Sequence, residues 1–157
     1  MPDDHPVYYW DSCVFLSYIN GTADRLPDID ALLDRSGKDF QVITSTVTIV
    51  EVAFGKLEQD NETLDEVMEA RISGLWGTDS PVKIVEFFPV LAQAAKELMR
   101  QGRGDGLKLK PMDAIHLATA KHFSAARVHT YDEKLEKYED LIGIPIGPPL
   151  ATAPKLL

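Results

Sequence analysis

The chain has 157 residues, a formal net charge of −9, 45% hydrophobic residues and 26% charged ones. That suffices for one compact domain with a hydrophobic core, in the composition of an ordinary globular protein. The single cysteine, Cys13, excludes an internal disulfide and a cysteine-based zinc site, and the acidic balance runs against a nucleic-acid partner, whose phosphates usually leave a basic footprint. The opening MPDDHPVYYWD has neither a basic n-region nor an apolar h-region. Apolar runs such as IVEVAF fall far short of the roughly 20 residues a membrane span needs. The expectation is a reduced, cytoplasmic setting without membrane contact.

Val7-Tyr8-Tyr9-Trp10 is aromatic and β-branched, stops at Asp11, and predicts a buried strand. SCVFLSYIN follows with helical spacing and ends at Asn20-Gly21. Pro27 to Ser36 predicts a short amphipathic helix stopped by Gly37. In QVITSTVTIVEVAF, Gln41 to Phe54, the β-branched run predicts a strand through Thr44, Ser45 as N-cap and a helix from Thr46. A further helix is predicted over Glu62 to Leu75, broken by Gly74 to Pro81, and then a strand over Val82 to Phe87. Pro89 to Arg100 reads as a helix, QGRGDG as a flexible loop, and Pro111 as the first residue of a helix reaching about Ser124. Arg127 to Thr130 predicts a short strand, with a short helix from Glu133. The tail holds Pro145, Pro148, Pro149 and Pro154, too many for a regular element, and is expected to give an edge segment and then an extended arm. The division is therefore a domain over residues 1–142 and a Pro-rich tail over 143–157. Strands alternating with helices imply a mainly parallel sheet with helices on both faces.

Four acids stand out, three of them just past a predicted strand or at a helix start, where such a sheet binds ligands, and one about two turns into a helix. Asp11 ends the first strand, Asp132 follows the last clear one, Asp113 sits two residues beyond Pro111, and Glu51 lies inside the apolar run VTIVEVAF. Each has a plainer reading. Asp11 can cap a helix, Asp113 can serve a helix dipole, and Asp132 can be a turn residue. Glu51 is the hardest to dismiss, because an ionised carboxylate in an apolar run needs a compensating partner. Together they suggest one acidic cavity, and acids alone repel one another unless a cation joins them. Mg²⁺ and Mn²⁺ prefer oxygen ligands, activate water and neutralise a scissile phosphate.

The segments YYWDSCVFLSYI, ITSTVTIVEVAFG, LKPMDAIHLATA and VHTYDEKL resemble the PIN domain, in particular VapC-type toxins of toxin–antitoxin pairs. Order and spacing agree over nearly the whole chain apart from the tail, and DAIHLATA followed by Thr-Tyr-Asp is the most specific part. The resemblance implies a Rossmann-like α/β/α sandwich and a Mg²⁺- or Mn²⁺-dependent endoribonuclease that hydrolyses RNA. It implies Asp11, Glu51, Asp113 and Asp132 as the metal-binding catalytic quartet, Thr130 as a hydroxyl bonded to a metal ligand or water, and Ser12 in a similar supporting role. It also implies a homodimer and a cognate antitoxin that crosses the active site.

His116 stands one helical turn after Asp113, in reach of the same cavity, but is read first as a packed helix residue. Arg100, Arg103, Lys108 and Lys110 form the one basic, flexible stretch, able to carry RNA phosphates towards Asp113 or to be a solvated loop. Tyr8, Tyr9 and Trp10 are read as core rather than as a base-stacking platform. Two rivals are a phosphatase or phospho-acceptor domain, whose D-x-D-x-T run is absent after Asp11, and a PIN-like module that binds RNA or protein without cutting. A housekeeping RNA-processing nuclease would share every residue named.

Overall fold

The structure, a computed structural model, describes residues 5–60 and 66–151, the side chains of 57–60 excepted. Its elements are β1 (Val7–Trp10), α1 (Ser12–Asn20), α2 (Leu26–Arg35), β2 (Gln41–Ser45), α3 (Thr46–Asp60), α4 (Glu66–Leu75), β3 (Val82–Val85), α5 (Pro89–Gly104), α6 (Pro111–His122), β4 (Arg127–His129), a 3₁₀ turn (Glu133–Tyr138), α7 (Glu139–Ile142) and β5 (Ile146–Gly147). The five strands are all parallel in the order β3-β2-β1-β4-β5, so β1 is central. The chain builds outward from β1 to β3, then crosses back to lay β4 on the other side of β1. The point of reversal lies at the carboxyl ends of β1 and β4, where open α/β sheets bind ligands. No described helix is long and apolar enough to cross a membrane.

Strand alternation assigns the two cores. Tyr9 and Ile43 face one side, packed with Leu98, Leu117 and Val128 under α5, α6 and α7. Trp10 and Val42 face the other, packed with Phe15, Ile29, Leu32 and Val52 under α1 to α4. Tyr9 and Trp10 are fully buried, as their reading as core requires. On the second side α1 and α3 approach closely at Gly55, where a Cβ would stand 3.0 Å from Leu16 Cδ1.

The switch from β2 to α3 falls at Ser45-Thr46, with the Val47 amide donating to Ser45 Oγ at 3.3 Å. The helix expected over 62–75 is seen from Glu66, and its first residues lie outside the described ones. One expectation is overturned. QGRGDG is not a flexible loop from its start, because α5 runs on through Gln101 to Gly104. Leu91, Ala95, Leu98 and Gly102 continue one buried stripe at helical spacing, and burial outweighs the low helix propensity of the glycines. The helix ends instead at Gly104, and Gly106, two residues on, has a φ of +76° that suits glycine. There the amides of Gly106 and Leu107 donate to the carbonyls of Arg103 and Gly102, which closes the helix end. The edge segment expected at the start of the tail is β5, paired to β4, with Ile144 and Ile146 buried; residues 152–157 lie outside the described ones.

His129, in β4, is buried, and its Nδ1 accepts from Trp10 Nε1 at 2.9 Å, so the neutral ring fits the core. Burial, aided by the Arg127 charge, pushes its pKa down to about 4. A histidine held neutral stabilises above its ordinary 6.5, and that contribution drains away as pH falls through the folded value. The loss between pH 6.5 and 4 is expected to reach about 3 kcal/mol. Guanidinium unfolding at pH 7 and 4.5 should show this loss in the native chain and much less of it in His129→Gln; equal slopes would refute the assignment.

Candidate active site

Asp11 leaves the end of β1 and caps α1, its Oδ1 accepting from the Cys13 amide at 3.2 Å and from Cys13 Sγ at 2.8 Å. Its Oδ2 accepts from Thr130 Oγ1 at 2.6 Å, across the seam between β1 and β4. Thr130 Oγ1 in turn accepts from the Asp132 amide at 3.0 Å. One hydroxyl thus joins the first acid to the loop of the last. Asp132 is exposed and caps the 3₁₀ turn through the Lys134 amide at 3.0 Å. The capping reading of Asp11 is therefore correct, and Asp132, read as a turn residue, also caps a turn; both are compatible with a further use.

Asp113 stands in the first turn of α6, half-buried, where the helix dipole favours its charge. Glu51 lies in the second turn of α3 and meets His116 Nε2 through Oε1. His116 is buried, and its Nδ1 is 2.5 Å from the Tyr9 hydroxyl.

The protonation tendencies map the cluster. Burial raises Asp11 above its ordinary 3.8, opposed by its bonds to Cys13 and Thr130 and by the charge of His116. Asp113 is also raised, first by burial and then by the charges of Asp132, Asp11 and Glu51, with His116 opposing. Burial works to lower His116, but its hydrogen bond to Glu51 and the charges of Glu51, Asp11 and Asp113 outweigh it and leave the ring raised. Cys13 is pushed up to about 12 by burial beside the Asp11 charge, so it serves as a hydrogen-bond donor rather than a nucleophile.

The four acids lie close enough for Asp113 to feel the other three. Yet among the described residues no three His, Cys, Asp or Glu side chains are gathered so as to hold a metal ion. The reason is visible in their partners: Glu51 is turned onto His116, Asp11 onto Thr130 and Cys13, and Asp132 onto a backbone amide. The donor set is hard oxygen, which fits Mg²⁺ or Mn²⁺, and its negative charge exceeds what one imidazole can balance.

Cys13 and Tyr9 are site neighbours that sequence reasoning did not single out. Cys13 follows Asp11 by two residues, a spacing that could have drawn notice, whereas Tyr9 looks like any core aromatic. Ser12 opens α1, half-buried, while the bonds to Asp11 come from Cys13 and Thr130. Of the basic residues, Arg100 pairs with Glu97 at 2.5 Å on exposed α5. Arg103, Lys108 and Lys110 are exposed at the turn joining α5 to α6, the end of α6 that carries Asp113.

A five-stranded parallel sheet with helices on both faces and acids at its reversal point defines a PIN-like α/β/α sandwich. The sequence model of the PIN domain matches residues 8–141, and the chain belongs to the PIN domain family. Members of that family are typically nucleases. No curated protein gives a significant sequence match. Among solved structures, VapBC2 from Rickettsia felis, bound to a DNA fragment from their promoter, is similar with a TM-score of 0.69 at 16% identity, over 89% of this chain and 96% of that one. FitAcB from Neisseria gonorrhoeae gives a TM-score of 0.65 at 17% identity, over 90% of this chain and 97% of that one. VapC20 of Mycobacterium tuberculosis, a sarcin–ricin loop cleaving toxin, gives 0.63 at 15% identity, over 83% and 93%.

Proposed function

We propose that the chain is a Mg²⁺- or Mn²⁺-dependent endoribonuclease, the toxin of a toxin–antitoxin pair. The observation that supports this most is geometric: the Thr130 hydroxyl joins the Asp11 carboxylate to the backbone of Asp132, and His116, one turn after Asp113 on α6, meets the Glu51 carboxylate. Acids from separate elements lie near the reversal point of the sheet, where a bound cation would offset their mutual repulsion. Asp11, Glu51, Asp113 and Asp132 would hold the metal, which when bound lowers the pKa of a water nucleophile and neutralises phosphate charge. Thr130 holds the Asp11 carboxylate at the carboxyl end of β1, beside the loop of Asp132. Lys108 and Lys110 flank the entrance to α6 and would draw the RNA backbone towards Asp113 against the acidic balance of the whole chain.

The neighbours described as VapBC and FitAcB, and the sarcin–ricin loop cleaving toxin, support an RNA substrate and an antitoxin partner, with a homodimer as the proposed assembly. A second reading, a PIN-like module that binds without cutting, is favoured by one observation: each acid except Asp113 already has a protein partner. Cleavage of a labelled single-stranded RNA, with Mg²⁺ or Mn²⁺ against EDTA, separates the two. Cutting that requires the cation and is lost in Asp113→Asn is expected; metal-independent cutting, or none by protein freed of any antitoxin, favours the second reading.

A further inference from the structure

His116 touches partners at both ring nitrogens, and those partners belong to different elements. Nε2 meets the Glu51 carboxylate on α3, and Nδ1 is 2.5 Å from the Tyr9 hydroxyl on β1. An ionised carboxylate only accepts, so Nε2 carries a hydrogen and donates to Oε1. The Tyr9 hydroxyl then donates to Nδ1 when the ring is neutral and accepts from it when the ring is charged, so the contact survives either state. Tyr9 is itself held. Its ring is fully buried on β1, beside the strand that carries Thr44. Thr44 Oγ1 is 2.8 Å from Thr48 Oγ1 and donates to the Trp10 carbonyl at 2.7 Å.

Glu51 has no such support of its own. Its side chain is 27% exposed, against 3% for His116, and the three torsions of a glutamate leave an unheld carboxylate free to wander. A histidine bonded to a carboxylate on one side and a buried hydroxyl on the other is the arrangement that orients metal ligands from behind. Resting on the reading of Glu51 as a metal ligand, we propose that Tyr9 and His116 are positioning residues. They clamp Glu51 through Oε1 and leave Oε2 outside the pair for the cation. This is a role for Tyr9 beyond core packing, and for His116 one other than ligand or proton shuttle. The bland alternative is a satisfied polar knot that only ties β1, α3 and α6 together.

The test reads metal binding and the ring itself, so that it does not depend on cleavage. Mn²⁺ binding by titration calorimetry is expected to weaken about 10-fold or more in His116→Leu, the usual effect of losing a residue that orients a ligand. His116→Gln, whose amide can still donate to Glu51, should restore affinity to within about 3-fold of the native chain. The double variant with Glu51→Gln should bind no worse than Glu51→Gln alone, because the clamp acts only through Glu51. Native affinity in a folded His116→Leu, no restoration by glutamine, or an additive double variant would each overturn the proposal. Should His116→Leu not fold, Tyr9→Phe removes one oxygen from a ring that stays packed, and undiminished Mn²⁺ affinity there refutes the clamp. If the native chain binds no Mn²⁺, the metal reading fails and the ring decides separately. The ¹⁵N signals of the His116 imidazole should move in both Glu51→Gln and Tyr9→Phe, and signals unmoved in either show that no clamp exists.

Discussion

At neutral pH, Asp11→Asn is expected to melt higher than the native chain in EDTA while cutting RNA more than about 100-fold more slowly, beyond what loss of a merely supporting residue costs. The two effects share one cause. Burial raises the Asp11 carboxyl above its ordinary 3.8, so the fold prefers the protonated group. Stability from such a group is complete below that ordinary value and is lost as pH rises through the folded one. Asparagine has the shape of the protonated acid and no charge to desolvate. Its amide oxygen still accepts from the Cys13 amide, and the Thr130 hydroxyl can turn from donor to acceptor. The gain should be about 1–2 kcal/mol, or roughly 3–6 °C for a chain of this size. Activity falls because a neutral amide is a poor ligand for a hard cation. A variant that is less stable and fully active would remove Asp11 from the site.

Adding Mg²⁺ or Mn²⁺ to the EDTA-treated protein should raise its melting temperature, by about 2.7 kcal/mol or roughly 5–10 °C at a hundred times the dissociation constant. The shift should shrink as pH falls, because ligands bind as ions and both Asp113 and Asp11 hold protons above the usual carboxylate range. His116 adds to the trend. Its pKa lies above the ordinary 6.5, so its contribution is complete below 6.5 and is lost as pH rises through the folded value. In EDTA the protein should therefore gain stability as pH is lowered through the folded value of His116 to 6.5, a window above that in which His129 acts. Saturating metal should flatten this slope by balancing the acids at the higher pH. Thermal melts across the window, with and without Mn²⁺, decide it; curves that never respond to the cation would leave the acids as a structural cluster.

Much of this was legible from residue order. The boundary at Ser45 could be drawn because β-branched residues give way to a serine in capping position, and both signals are local. Asp11, Asp113 and Asp132 could be named because each follows a strand or opens a helix, so a parallel sheet brings them to one end, and Glu51 because a lone carboxylate in an apolar run needs a partner. The glycines at 102, 104 and 106 misled, since the glycine count says loop whereas the buried stripe of Leu91, Ala95, Leu98 and Gly102 says helix. The bond from Tyr9 to His116 to Glu51 could not be read at all. It depends on which face of β1 carries Tyr9 and on how α6 is rotated against α3, both fixed by packing of distant segments. Cys13 was hidden for a similar reason, since its sulfur contacts Thr130, 117 residues away.

The central place of β1 has a consequence for synthesis on the ribosome. The hydroxyl that fixes Asp11 is made 119 residues after it, just past a strand that pairs with β1 alone until β5 is added. A nascent chain that stops short of Arg127 carries Asp11, Glu51 and Asp113 but neither Thr130 nor Asp132. β4 also needs a stretch of emerged tail before it can dock, since its far side is covered by β5. The acidic cluster is thus completed only once β4 and the residues that follow it have emerged, long after the strand that carries Asp11.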